Sequence, residues 1–155
     1  MAREIFQRIL NTWKILAKTA FLDTGPLVSF IDKREYHHTW IKSVFSEIDA
    51  SLKTNTAVIT EAFFLLKRSN RGEEGLMKMI NSGFLDIQDP FSSNQRFVLD
   101  VMNKYNDVTC AFADANLLAM FENDKKSVII STDSDFLIYR DSQGKKLNLI
   151  SPYLK

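Results

Sequence analysis

Residues 19–26, TAFLDTGP, form a short apolar run that ends abruptly in the carboxylate of Asp23. The Gly25-Pro26 pair that follows is typical of a turn, so we expect a buried strand with Asp23 at its exit. In open α/β sheets, the carboxyl ends of the strands form the crevice where ligands bind. Asp23 is therefore a candidate site residue; the alternative is that it caps a turn or the next helix.

The composition indicates one globular domain. The chain has 155 residues, of which 45% are hydrophobic and 25% are charged, enough for a core without disulfides. The single Cys110 cannot form an intrachain disulfide, so we expect a cytoplasmic protein. No apolar run approaches the roughly 18 residues that span a bilayer. The net charge of +1 does not argue for a nucleic-acid partner, although basic pairs recur at Lys33-Arg34, Lys67-Arg68, Lys125-Lys126 and Lys145-Lys146.

The apolar periodicity predicts helices that alternate with strands. An amphipathic helix over residues 4–17 would form an N-terminal extension, residues 1–18, before a domain over residues 19–155. Further helices are predicted at Leu27–Ile31, at Trp40–Leu52 and from Glu61 to Arg68, the last with Thr60 as its N-cap. After a break at Gly72–Gly75, another helix is predicted to end at a Gly83 C-cap, and one more is predicted to begin after a Ser92 or Ser93 cap. Further strands are predicted at Ala57–Thr60, Phe84–Ile87, Ser127–Ser131 and Leu147–Ile150. This alternation predicts a mostly parallel sheet of about five strands, covered on both faces.

Further acids stand where the predicted strands end. Glu61 follows the second strand, although an acid in the first turn of a helix is also good helix chemistry. Asp133 follows the strand over residues 127–131, with Asp135 close behind. Asp114 is surrounded by small and apolar residues in a late helix, which indicates a closely packed face; the alternative is that it is a capped or paired structural acid. Asp107 precedes that helix and is predicted to cap it. His37 and His38 have no third ligand nearby, so we expect both to be solvated.

In a parallel sheet, every strand exit points to the same edge, so Asp23, Glu61 and Asp133 would converge there and Asp114 could join them. Carboxylates without a cationic partner repel one another unless a hard cation neutralises them. Oxygen ligands suit Mg²⁺ or Mn²⁺, and such ions over a phosphodiester activate water for hydrolysis. The chain has no phosphate-binding loop of the Walker type. Aspartyl-phosphate phosphatases would need a second Asp where this chain has Gly25.

Four motifs together resemble the PIN-domain ribonucleases, and among these the VapC toxins of VapBC-type toxin-antitoxin pairs. They are Phe21-Leu22-Asp23-Thr24, Thr60-Glu61, Ala113-Asp114-Ala115 and Thr132-Asp133-Ser134-Asp135-Phe136. The resemblance covers residues 19–153 and implies a three-layer α/β/α fold, Mg²⁺- or Mn²⁺-dependent cleavage of RNA, a homodimer and a small antitoxin partner.

Carried over by position, the resemblance implies roles for seven residues. Asp23, Glu61, Asp114 and Asp133 would be the catalytic and metal-binding acids, Asp135 an auxiliary ligand, Thr24 a supporting hydroxyl and Asp107 a structural acid. In the family, the first strand usually starts within a few residues of the N-terminus, whereas here 18 residues precede it. Two alternatives stay open: a catalytically silent module that binds RNA or protein, and a DNA nuclease or phosphatase that uses the same acids.

Overall fold

The structure is a computed structural model that describes residue 4 and residues 17–154. Within this part of the chain the strands are β1 (Thr19–Leu22), β2 (Ser51–Asn55), β3 (Asp86–Gln88), β4 (Val128–Ile130) and β5 (Leu149–Ile150). The α-helices are α1 (Thr24–Ile31), α2 (His38–Glu47), α3 (Thr56–Leu66), α4 (Gly72–Asn81), α5 (Phe91–Lys104) and α6 (Phe112–Asn123). Short 3-10 helices span Asn106–Val108 and Ser134–Leu137. The helix predicted over residues 4–17 falls almost entirely outside the described residues.

The five strands form one sheet in the order β3-β2-β1-β4-β5, and every neighbouring pair is parallel. The connections from β1 to β2 and from β2 to β3 step in one direction, whereas the connection from β3 to β4 crosses back over β1. Because such crossovers are right-handed, this reversal places α1 to α4 on one face of the sheet and α5 and α6 on the other. The predicted three-layer α/β/α fold with a five-stranded parallel sheet is confirmed.

The centre of the sheet is the most deeply buried part of the described chain. Ala20 and Leu22 of β1 and all three residues of β4 are fully buried. Consecutive apolar residues are expected here because helices cover both faces of these strands. Each fully buried Leu or Ile contributes roughly 1.5–3 kcal/mol, so these strands hold their exits firmly in place.

The second strand was predicted in the wrong place. Residues 57–60, which are mostly apolar and mostly β-branched, lie in the first turns of α3, and β2 is instead the more polar segment Ser51–Asn55. Asn55, not Thr60, is the N-cap, because its side chain accepts a hydrogen bond from Val58 N at 3.0 Å. The polar residues of β2 have partners: the Thr54 hydroxyl, for example, donates to Leu22 O at 2.7 Å. Side-chain capping has therefore overridden β-propensity.

Other element ends also differ from prediction. Gly25-Pro26 is not a turn but part of the first turn of α1, since Asp23 caps that helix and Pro is tolerated there. The predicted helix at 40–52 ends at Glu47, because Leu52 belongs to β2. Gly72 begins α4 instead of separating helices. Neither Ser92 nor Ser93 caps α5, which starts at Phe91 after Pro90.

Three predictions about shorter segments have mixed outcomes. Gly83 ends α4 with a positive φ of 74°, as a C-terminal glycine does. The strands predicted at 84–87 and 147–150 are found, but as the shorter β3 and β5. His37 and His38 are half-buried instead of solvated, and His38 Nδ1 donates to Ser29 O at 2.7 Å.

Candidate active site

The exits of β1 and β4 lie side by side where the strand order reverses. Leu22 pairs with Ile130 in the register of the two strands, and Asp23 N donates to Ile130 O at 3.1 Å. Connections leave such neighbouring strands toward opposite faces of the sheet, which opens a crevice between them. Asp23 follows β1 directly, and Asp133 follows β4 after two residues. The topology therefore brings these two acids to one crevice.

Asp23 is held by hydrogen bonds to both carboxylate oxygens. Oδ1 accepts from Thr24 N at 2.7 Å as the N-cap of α1, and Oδ2 accepts from Ser131 Oγ at 2.6 Å. The residue is only 4% exposed. Burial raises the pKa of Asp23 to about 6, helped by repulsion from Asp133 and Glu61, even though the two hydrogen bonds lower it. Asp23 therefore caps α1 and also belongs to the group of acids, so the capping interpretation and the site interpretation of its position do not exclude each other.

Ser131 is a site residue that sequence reasoning missed. Its hydroxyl donates to Asp23 and accepts from the backbone N of Asp133 at 3.0 Å. One buried side chain thereby fixes two acids relative to each other. The sequence signal that could have identified Ser131 is its position directly after β4 and two positions before Asp133.

Thr24 and Glu61 join the group from the other side. The Thr24 hydroxyl donates to Glu61 Oε2 at 2.8 Å, across the contact between α1 and α3. Glu61 lies in the middle of α3 and not at a strand exit, contrary to the prediction. It reaches the crevice because α3 leaves the carboxyl end of β2 and packs beside α1.

Asp114 enters from the opposite layer, in the first turn of α6. Its Oδ2 accepts from Tyr139 OH at 3.2 Å and, at 3.4 Å, from Ala111 N. Asp114 is 8% exposed, and burial raises its pKa to about 8, with further contributions from repulsion by Asp23 and Asp133. Tyr139 is a second residue that the sequence did not reveal; it is fully buried, and its ring packs edge-on against neighbouring aromatic rings.

The four predicted acids line one cavity of about 460 Å³. The lining residues named here, all in the described part of the chain, include no Lys or Arg: Asp23, Thr24, Gly25, Glu61, Leu65, Thr109, Ala111, Asp114, Thr132, Asp133, Ser134 and Tyr153. Gly25 also lines the cavity, and a Cβ there would overlap Thr132 Oγ1, so a larger residue would force the Thr132 side chain to shift. The four acids thus line the same cavity, and no lysine or arginine in that lining offsets their negative charge.

Two other predicted residues do not line this cavity. Asp135 sits in the 3-10 helix that Asp133 caps, and its backbone N donates to Asp133 Oδ1 at 2.9 Å. Burial and repulsion from Asp133 raise its pKa. Asp107 is exposed in its own 3-10 helix, where it accepts only a local bond from Val108 N at 3.1 Å. It does not cap α6; the residue before that helix is Ala111.

The donor set fits a hard divalent cation. The polar side chains that line the cavity are carboxylates and hydroxyls. Mg²⁺ and Mn²⁺ prefer oxygen ligands of this kind. Burial is the main cause of the raised pKa values of Asp23 and Asp114, and repulsion between the acids adds to it, so a bound cation would favour their ionised forms. Across residues 17–154, however, no three Asp, Glu, His or Cys side chains converge tightly enough to form a ready-made metal centre. The acids are therefore grouped around the cavity but not drawn onto one point.

No helix among the described residues is long and apolar enough to cross a membrane.

Comparison with known proteins agrees with this architecture. The chain has no match among curated proteins. A crystal structure of Mycobacterium tuberculosis VapC20, described as a toxin that cleaves the sarcin-ricin loop, has a similar fold with a TM-score of 0.66. The similarity covers 75% of this chain and 91% of VapC20, at 16% sequence identity. The model of the PIN domain family matches residues 20–141, which include all four acids and every strand except β5. This chain therefore belongs to the PIN domain family.

Proposed function

We propose that this protein is a Mg²⁺- or Mn²⁺-dependent endoribonuclease and the toxin of a toxin-antitoxin pair. The observation that carries the proposal is the placement of Asp23, Glu61, Asp114 and Asp133 around one cavity that the lining residues leave without a positive charge. Four acids in this arrangement cost folding free energy, and binding a divalent cation offsets that cost. Membership of the PIN domain family and the fold shared with VapC20 support the nuclease reading.

The residues of this chain would divide the work by position. Asp23, Glu61, Asp114 and Asp133 would hold the cation, and Asp135, which does not line the cavity, would take its auxiliary part through Asp133, which accepts a hydrogen bond from the Asp135 backbone N. Once bound, the cation supplies an activated water and stabilises the leaving oxygen of the phosphodiester.

Hydroxyl groups keep the acids in orientation during this chemistry. Ser131 fixes Asp23 and the backbone of Asp133, Thr24 fixes Glu61, and Tyr139 fixes Asp114. These bonds hold each carboxylate in orientation before a cation binds, but the acids would still have to draw closer to share one ion. Asp107 would serve only the local backbone.

The biological partners follow from the toxin reading. VapC20 is named as a sarcin-ricin loop cleaving toxin. From this likeness and from membership of the PIN domain family we infer an RNA substrate, a small antitoxin protein and a homodimer, and from the single Cys110 a cytoplasmic location. Residues 1–18 precede the segment matched by the family model. We propose that they form a helical extension to the domain over residues 19–155.

Cleavage of RNA by the purified full-length protein tests the proposal. The assay compares Mn²⁺ with EDTA, and wild type with Asp23→Asn, Asp114→Asn and the exposed control Asp107→Asn. We expect cleavage that requires the metal and both buried acids but not Asp107. Full activity of Asp23→Asn and Asp114→Asn would contradict the proposal.

Two further measurements separate the alternatives. Matched RNA and DNA oligonucleotides distinguish a ribonuclease from a DNA nuclease. Calorimetry with Mn²⁺ distinguishes an active enzyme from a silent module: a protein that neither binds Mn²⁺ nor cleaves RNA is the silent module.

A further inference from the structure

A strip of aromatic rings leads outward from the acid cavity. We call it the aromatic strip; it consists of Tyr153, His37 and Tyr36. Tyr153 lines the cavity, and its ring centroid lies 6.0 Å from that of His37. The ring of Tyr36 meets His37 edge-on, with centroids 4.9 Å apart. Two ring-to-ring steps therefore connect the cavity to the surface beside it.

The outer ring of the aromatic strip contributes little to the core. Tyr36 is 93% exposed and Tyr153 is 47% exposed. Below them, His37 is half-buried and packs against Trp40 at 6.1 Å, and its Nε2 lies 3.5 Å from Tyr153 OH. Exposed rings can accept a flat, apolar partner, and ordering each ring costs about 0.5–1.5 kcal/mol of side-chain freedom.

Basic residues flank the aromatic strip. Arg34 Nη2 donates to Arg68 O at 3.1 Å, which joins the pairs Lys33-Arg34 and Lys67-Arg68 although they are far apart in sequence. Asp32 holds the Arg34 guanidinium through bonds of 3.2 and 3.0 Å and shares its charge, so Lys33, Lys67 and Arg68, all exposed, are the cations of these pairs that face solvent. The helix α1 starts at the Asp23 cap and has 8 residues, about 12 Å, and Lys33-Arg34 follow shortly after its C-terminal end. Tyr36 follows Arg34 by two positions.

We propose that the aromatic strip and these basic pairs bind the single-stranded RNA that flanks the cleaved phosphodiester. Bases would stack on Tyr153 and Tyr36, and backbone phosphates would meet the basic pairs. This inference rests on the proposed nuclease function. It explains how a chain of net charge +1 can bind RNA, because positive charge is needed only beside the cavity. It also selects unpaired RNA, since only unstacked bases can lie against protein rings.

Binding of a fluorescent, unstructured RNA oligonucleotide tests the inference. Fluorescence anisotropy is measured with Mn²⁺ in the Asp23→Asn protein, which leaves the RNA uncut. Onto this protein we add Tyr36→Ala, Tyr36→Trp or, as a matched loss of an exposed apolar side chain on α5, Leu99→Ala; Leu99 is 56% exposed. We expect Tyr36→Ala to weaken binding roughly tenfold, since stacking on an aromatic ring is worth that much per base. Tyr36→Trp should restore binding, and Leu99→Ala should leave it unchanged.

The same substitutions in the protein with Asp23 intact separate this inference from the proposed function. Tyr36→Ala should raise KM for a single-stranded substrate and leave kcat unchanged, because Tyr36 lies outside the cavity. If RNA affinity is equal with and without the Tyr36 ring while cleavage still needs Asp23, the inference about the aromatic strip is wrong and the proposed nuclease function stands. Binding that depends on Tyr36 in a protein that never cuts RNA overturns the nuclease instead. If Tyr36→Ala weakens only the binding of a protein partner, the aromatic strip is a protein interface and the inference is wrong.

Discussion

Replacing Asp114 by Asn should stabilise the metal-free protein. Both hydrogen bonds to the Asp114 side chain, from Tyr139 OH and Ala111 N, go to the same oxygen, Oδ2. One amide oxygen can accept both, so the substitution removes a buried charge and keeps the local contacts. Burial and nearby acids raise the pKa of Asp114 from 3.8 to about 8, so its ionised form is the costly one.

The size of the effect follows from proton binding. Between the unfolded value of 3.8 and the folded value of about 8, the folded state holds a proton that the unfolded chain has released. The free energy of unfolding therefore falls as pH rises through this window, by about 1.4 kcal/mol per pH unit. From about pH 5 to about pH 8, the loss due to Asp114 is on the order of 4 kcal/mol. For a chain of this length, that corresponds to a change in Tm of about 10 °C.

Thermal unfolding in EDTA at the two pH values measures this loss. The Tm of Asp114→Asn should exceed that of wild type, and the gap should widen by about 10 °C between about pH 5 and about pH 8. Asp107→Asn is the control, because Asp107 is exposed and outside the cavity. Mn²⁺ should stabilise wild type more than Asp114→Asn, since the cation replaces the missing positive charge only where the carboxylate remains.

A constant gap between wild type and Asp114→Asn at both pH values would refute this reasoning. It would mean that the difference in stability arises from packing or hydrogen bonding and not from ionisation. A lower Tm for the variant at about pH 8 would contradict the sign of the effect.

Three further predictions concern residues around the site. Asn55→Ala should lower the free energy of unfolding by about 1–2 kcal/mol, because it removes the buried cap of α3. Urea unfolding should then show a lower midpoint at an unchanged slope. An unchanged midpoint would mean that a backbone group or water replaces the cap. Tyr139→Phe should cost about 1 kcal/mol of stability and weaken Mn²⁺ binding in calorimetry, because Asp114 loses a donor; unchanged affinity would show that Tyr139 does not position Asp114. Deleting residues 1–16, which keeps the buried Ala17, should alter oligomeric state or antitoxin binding, measured by light scattering and pull-down, more than cleavage; loss of the fold would show that the domain needs these residues.

The sequence predicted the parallel sheet and the convergence of the strand-exit acids because both depend on strong local signals. The apolar runs of β1 and β4 indicate buried strands, and the acids that follow parallel strands meet at one edge. The resemblance to PIN-domain ribonucleases supplied the same four acids, which the structure places around one cavity. Parallel topology made the local pattern sufficient for this part of the site.

What the sequence did not reveal depends on contacts between distant residues. Residues 57–60 look like a strand, but the Asn55 cap and the pairing of residues 51–55 with β1 make them helical. Ser131 and Tyr139 carry no distinctive motif, because their roles arise only when β4 and α6 bring Asp23 and Asp114 beside them. The joining of Lys33-Arg34 to Lys67-Arg68 is likewise a product of packing between helices.

The separation of the four acids along the chain has a consequence for synthesis and folding. They come from the exits of β1 and β4 and from two helices between them, and the cavity closes only when residues from 23 to 133 are in place. Such non-local contacts form together in the cooperative folding step. A nascent or partly unfolded chain thus carries every carboxylate but no site, so any activity of this protein reports directly on its natively folded fraction.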